Sequence, residues 1–230
     1  MSSRSALARS RSSTLAKTLL LDFGGVLTTP VRESFAAFAR TEGLDPEALW
    51  AVMRDVARSP DDPFTLVETG RITLEEFDRR LAGLFGEHLG TAIASEGLKV
   101  RLFSGVGPDE AMIAAVRRAR LLGVPTGLVS NSWGGNYGEG GYDRAMFDEL
   151  FDEVVISGEV GLRKPQPEIY LLAASRLGAE PQDCVFADDF AVNAEGASAV
   201  GMLGIHHRTA DETIPKIEDF LGLKLREPGA

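Results

Sequence analysis

A chain of 230 residues with 44% hydrophobic content holds enough apolar material for one large packed domain, or for one domain carrying a sizeable insertion. Its formal net charge of −10, with no basic stripe in the body of the chain, argues against a nucleic-acid partner, whose backbone is met by clustered Lys and Arg. Cys184 is the only cysteine, which excludes an internal disulfide and a CxxC zinc site and makes a reducing, cytoplasmic setting the expectation.

Residues 1–16 are rich in Ser and Arg. Arg4, Arg9, Arg11 and Lys17 with no acid among them give this end the composition of an organelle transit peptide, yet a disordered extension is the expectation, because a Ser-rich polar segment buries too little surface to offset its ordering entropy. No run approaches 18 apolar residues, so no membrane span is expected.

Three apolar runs share one design: "TLLLDF" (18–23), "VPTGLVS" (124–130) and "CVFADD" (184–189) are short, as buried parallel strands are, and each ends in polar groups. "EVVIS" (153–157) and "GMLGIHH" (201–207) read as two more strands. Helical patterns fill the intervals at 108–122, 166–178 and 191–201. The alternation predicts an α/β fold, a doubly wound, Rossmann-like parallel sheet, in which ligands gather at the carboxyl ends of the strands. Asp22, Ser130, Asn131, Asp188 and Asp189 then converge from three strand ends.

Residues 30–104 interrupt the alternation with helical patterns only. "VRESFAAFARTEG" comes first. "DPEALWAVMRDVAR" follows, with Asp45 as N-cap and Pro46 at the first helical position, and then "TLEEFDRRLAGLFG", where Thr73 and Glu76 are spaced as a capping box. An all-helical insertion after the first strand is a candidate cap over the site, with residues 17–29 and 105–230 forming the core.

A carboxylate cluster with a lysine and small hydroxyl or amide groups suits a hard cation and an anion together. Oxygen ligands favour Mg²⁺, and Lys164 in "GLRKPQPEIY" can offset phosphoryl charge or hold Asp22 ionised. "NSWGGNYGEGGYDRA" reads as a glycine-rich surface loop in which Trp133 and Tyr137 are placed to stack on a ring at the mouth. His206 and His207, adjacent at a strand end, point to opposite faces and are not expected to share a metal. Lys99, the one lysine of the insertion, offers a poor basis for a Schiff base. Cys184 reads as a small buried apolar residue. No GxSxG or HExxH is present.

Taken together, "LLLDFGGVL", "LVSNSW", "SGEVGLRKPQPEIY" and "VFADDFAVN" resemble, in order and spacing, the four motifs of the haloacid dehalogenase (HAD) superfamily, within the branch that includes the N-terminal phosphatase domain of soluble epoxide hydrolase. The resemblance runs from about residue 17 to 223. It implies Asp22 as the nucleophile that becomes an aspartyl phosphate and also binds Mg²⁺. It further implies Asp189 as a metal ligand, Asp188 beside the metal orienting bound water or Lys164, and the Gly24 carbonyl open to the metal. Ser130, Asn131 and Lys164 would hold the phosphoryl group, with Asn193 and Trp133 on the substrate side.

The expected partner is a small phosphorylated metabolite, and a homodimer is left open. In the typical phosphatase of the superfamily, a second Asp stands two residues after the nucleophile and protonates the leaving alkoxide, whereas this chain has Gly24. Three alternatives follow: a substrate whose leaving group needs little protonation, such as an anomeric or acyl phosphate; an acid recruited from the cap or from water; or a binding protein with little turnover. Non-phosphate hydrolysis such as dehalogenation is a further alternative.

Overall fold

The computed structural model describes residues 17–56, 62–132 and 144–226. Five strands, β1 (Thr18–Leu21), β2 (Thr126–Ser130), β3 (Glu153–Ile156), β4 (Cys184–Asp188) and β5 (Leu203–His206), form one parallel sheet in the order β3-β2-β1-β4-β5. Side chains alternate across a strand, so β1 sends Leu19 and Leu21 to one face and Leu20 to the other. Both faces are covered. On the first, α6 (Glu110–Leu121), α7 (Arg144–Leu150) and α11 (Ala210–Leu221) bring Met112, Val116, Phe147, Ile214 and Ile217. On the second, α9 (Pro167–Arg176) and α10 (Ala191–Ala199) bring Ile169, Tyr170, Ala173 and Ala197. With helices on both faces the strands are continuous apolar runs, as expected of a doubly wound sheet.

The strands stop earlier than the apolar runs suggest. β1 ends at Leu21, before Asp22 and Phe23, and β3 ends at Ile156, where Ser157 opens the single turn α8 (Ser157–Val160). The reason is the turn itself: the chain must leave the sheet where the polar groups begin.

Between β1 and α6 the described residues make five helices: α1 (Val31–Thr41), α2 (Pro46–Val56), α3 (Pro63–Glu68), α4 (Leu74–Leu89) and α5 (Leu98–Phe103). They share their own apolar cluster, centred on Phe38, Leu49, Phe77, Leu81, Phe85, Leu98 and Leu102. Asp45 caps α2 through the N–H groups of Glu47 and Ala48, and Thr73 caps α4 through that of Glu76. The capping box is only half made, because the Glu76 carboxylate goes to Arg79 and Arg80 instead. The helices α3 and α5 escape the sequence periodicity: six residues each are too short to display it. Entry and exit of the insertion run side by side, with Thr29 N–H donating to the Gly107 carbonyl (2.8 Å) and Asp109 N–H to that of Leu27 (2.9 Å).

Candidate active site

Register brings the acids together. Leu21 pairs with Leu128 on one side and Ala187 on the other, so Asp22, one residue beyond, stands level with Val129 and Asp188 on neighbouring strands. Asp22 N–H donates to the Ala187 carbonyl at 2.9 Å, which fixes the start of the turn. Ser130, the last residue of β2, is buried beside this rung.

Lys164 joins two of the acids. Its Nζ lies 2.7 Å from Asp22 Oδ1 and 2.6 Å from Asp188 Oδ2, and its side chain is 1% exposed. Burial works against the ammonium, but Asp188 and Asp22 outweigh it and push its pKa above the ordinary lysine value, so Lys164 stays charged. Its backbone is clamped by the Asn131 side chain, which accepts from Lys164 N–H (2.8 Å) and donates to the Lys164 carbonyl (3.1 Å). The Asn131 amide therefore positions Lys164 rather than facing outward.

Both oxygens of Asp188 are engaged. Oδ1 accepts from Phe190 N–H (2.8 Å) and from Asn193 Nδ2 (3.0 Å), while Oδ2 holds Lys164. Asn193 is buried, and its carbonyl in turn accepts from the Tyr170 hydroxyl (2.8 Å). Its side chain, like that of Asn131, is engaged with protein.

Asp189 is different. Its Oδ1 is buried with no hydrogen-bond partner, and burial first, then the charges of Asp22 and Asp188, raise its pKa well above the carboxylate range. Burial likewise raises that of Asp22, with Lys164 opposing and Asp188 assisting. Ligand atoms of Asp22, Asp188 and Asp189 lie within 4.8 Å of one another. Three carboxyl groups share one ammonium in a buried place, and one of their oxygens, Asp189 Oδ1, has no hydrogen-bond partner among the described residues. A hard divalent cation fits that donor set.

The two glycines after Phe23 do different work. A Cβ on Gly25 would stand 2.4 Å from Asp189 Oδ2, and Gly25 has φ +70, so only glycine lets that carboxylate approach. A Cβ on Gly24 would meet only Val31 Cγ2, at 3.6 Å, in ordinary contact. Gly24 leaves room where a side chain would fit.

His206 is exposed, with Nε2 3.1 Å from the Asp189 carbonyl, whereas His207 is buried and its N–H donates to the Asp188 carbonyl. Lys99 is buried inside the insertion, with its N–H on Asp78 Oδ1 and its charge acting on that carboxylate. Cys184 is buried in β4, and burial pushes its thiol up to about 12. Trp133, Tyr137 and the N-terminal 16 residues lie outside the described residues.

Four residues near the site were not anticipated. Arg163, next to Lys164, binds Glu68 and Thr65 of α3, and Ser157 Oγ lies 2.7 Å from the Glu68 carbonyl and 2.8 Å from the Ser132 carbonyl, with its one proton to donate between them. A signal for the α3 side was present: Asp62 before Pro63 has the pattern of an N-cap followed by proline at N1, and Asp62 does accept from Phe64 and Thr65 N–H.

A parallel sheet that gathers buried acids and one lysine at its carboxyl end, with a helical insertion behind the first strand, defines an α/β hydrolase of the HAD type. The chain belongs to the haloacid dehalogenase-like hydrolase family, whose model matches residues 16–201. It is 28% identical over 223 residues to bifunctional epoxide hydrolase 2 of Rattus norvegicus, covering 90% of this chain and 39% of that protein. It is also 26% identical over 218 residues to the sesquiterpene phosphatase astK of Aspergillus oryzae, covering 91% and 98%. The chain thus spans between 32% and 39% of the length of the epoxide hydrolases it matches.

Among solved structures, a HAD-like hydrolase from Porphyromonas gingivalis aligns with a TM-score of 0.64 at 22% identity, over 90% of this chain and 98% of that one. A HAD family enzyme of Bacteroides thetaiotaomicron, solved with magnesium and inorganic phosphate, aligns at 0.57 and 22%, over 82% and 92%. At these identities the structures speak for the fold.

Proposed function

We propose that the chain is a Mg²⁺-dependent phosphatase of a small phosphorylated metabolite, with Asp22 as nucleophile and the helical insertion as its cap. The observation that carries this reading is the pairing of Asp22 with a buried, charged Lys164 next to Asp189, whose buried Oδ1 has no hydrogen-bond partner among the described residues. Asp22 and Asp189, with the Gly24 carbonyl, are the groups that would hold Mg²⁺, and Asp188 would stand behind them, its oxygens already spent on Lys164, Asn193 and Phe190 N–H. The cation supplies charge neutralisation to the phosphoryl oxygens when bound.

An Asp22 oxygen would form the bond to phosphorus as the ester oxygen leaves with the bonding pair. Water would then cleave the aspartyl phosphate, releasing inorganic phosphate and restoring the carboxylate. Lys164 would keep Asp22 ionised and offset charge on the phosphoryl group, with Ser130 and the Asn131 main chain beside it. With no side chain at position 24, the proton for the leaving group would come from water or from a cap residue, or would not be needed, which favours anomeric or acyl phosphates. Several relatives support the phosphate class by name: a flavin mononucleotide hydrolase of Arabidopsis thaliana is 41% identical over 68 residues, and a glyceraldehyde 3-phosphate phosphatase of Methanopyrus kandleri 32% over 107.

The test is phosphate release from p-nitrophenyl phosphate, whose leaving group needs little protonation. Turnover with Mg²⁺, loss on chelation, and a drop on the order of 10³-fold or more in Asp22→Asn are the expected outcomes. Gly24 also favours a second reading, a ligand-binding protein with little turnover. Thermal stabilisation by inorganic phosphate with Mg²⁺ and no product from any phosphate ester would support that reading instead.

A further inference from the structure

Among the described residues, α3 of the insertion meets the core beside Lys164 through a polar junction. Arg163 Nη2 lies 2.7 Å from Glu68 Oε2 and its Nη1 reaches Thr65 Oγ1, whose hydroxyl bonds Asp62 at the start of α3. The Glu68 carbonyl accepts from Ser157, which also accepts from Ser132 N–H (2.9 Å). The short helix α3 is therefore bonded at its last residue to both ends of residues 157–163, the segment that delivers Lys164. Beyond that point Lys164 is held by Asn131 behind and by Asp22 and Asp188 in front. The Glu68 side chain is only 12% exposed, so undocking α3 would carry this carboxylate from a buried place into water.

We infer that Glu68 and Arg163 are positioning residues which couple the seating of the cap to the placement of Lys164, so that α3 and residues 157–164 open and close as one unit. The functional meaning rests on Lys164 belonging to the phosphatase site; the mechanical coupling does not. An exposed arginine–carboxylate contact would contribute little, but this one is mostly desolvated and backed by Thr65 and by the Ser157 bonds.

The junction carries its own signature. Burial, more than Arg163 can offset, raises the Glu68 carboxyl to about 7, with Asp62 adding to the rise and Lys164 opposing it. Of the elements packed on α3, α4 turns the ring of Phe77 against Phe64, and the loop after α8 supplies Arg163 and Lys164. A carboxyl at about 7 when docked and near 4.5 when released takes up a proton on docking. Docking is then strongest at low pH and weakens as pH rises toward and through 7. Between pH 6 and pH 8 the open fraction should grow about tenfold.

Hydrogen exchange of the substrate-free 230-residue chain at pH 6 and pH 8, corrected for the intrinsic pH dependence of exchange, tests this. The expected result is a rise in opening of about tenfold, equal in α3 and in residues 157–164. Glu68→Gln keeps an acceptor for Arg163 and should abolish the rise in both segments. Arg163→Met should raise opening in both at either pH, with Arg163→Lys partly restoring protection.

Three results overturn the inference: a pH effect that survives Glu68→Gln, a change confined to α3 while residues 157–164 stay protected, or no pH effect in the parent protein. Because exchange is read without substrate, failure here is distinct from failure of the phosphatase reading. Where p-nitrophenyl phosphate is turned over, Arg163→Lys should change kcat and KM together, whereas a purely structural junction would leave both unchanged in the folded fraction.

Discussion

The strand ends of the core and the helical insertion above them are built by different rules. In the core, the acids are set by the strand register: Asp22 follows Leu21, and Asp188 follows Ala187 on the same rung, while residues 157–163 bring Lys164 to them. The insertion instead has a separate apolar centre around Phe77 and Phe85, and joins the core by two linkers and the Arg163 junction. On the proposed reading, chemistry would sit on a rigid sheet and recognition on a separately packed element, so that the second could change without moving the first.

The largest expected effect breaks the core half of that comparison. Lys164→Met leaves Asp22 and Asp188 facing each other in a buried site. It should destabilise the metal-free protein by about 3–5 kcal/mol, the usual cost of removing one partner of a buried ion pair, and lower turnover by at least about 10²-fold. Urea denaturation with and without Mg²⁺ checks it. Addition of Mg²⁺ should recover part of the lost stability, because a cation restores the charge balance. An unchanged midpoint would mean that the acids do not depend on Lys164.

Next comes Gly25→Ala. The added methyl must displace the Asp189 carboxylate and sits at a left-handed backbone position, so a loss of about 1–3 kcal/mol and weaker Mg²⁺ binding by titration calorimetry are expected. Equal Mg²⁺ affinity in a folded variant would remove Asp189 from the ligand set.

The core was legible in the sequence because its signals are local and repeated. Five apolar runs became five strands, and Asp22, Asp188 and Asp189 lie together as the strand-end rule requires. The insertion was legible only where helices are long: α1, α2 and α4 span at least three turns each, whereas α3 and α5 have six residues, too few for a face to recur. Helix α3 is the element that touches the Lys164 segment. The roles of Asn131 and Asn193 were hidden for another reason: an asparagine at a strand end can face a ligand or bind backbone, and only the three-dimensional partners tell which.

The smallest expected effect lies where the two regions meet, at Gly24. Its backbone does not demand glycine, and a Cβ there would touch only Val31, the first residue of α1, so Gly24→Asp should fold normally and set a carboxyl between the strand end and the insertion. General acid and base help is commonly worth about 10²–10⁴-fold in optimised sites, so an unoptimised carboxyl should return about tenfold, and only where protonation limits the rate. Turnover of a simple alkyl phosphate should therefore rise about tenfold while that of p-nitrophenyl phosphate changes little. A variant that folds and binds Mg²⁺ but gains on neither substrate would show that leaving-group protonation is not what Gly24 lacks. The preference for anomeric or acyl phosphates would then lose its physical basis, and selection of the substrate would fall to the insertion alone.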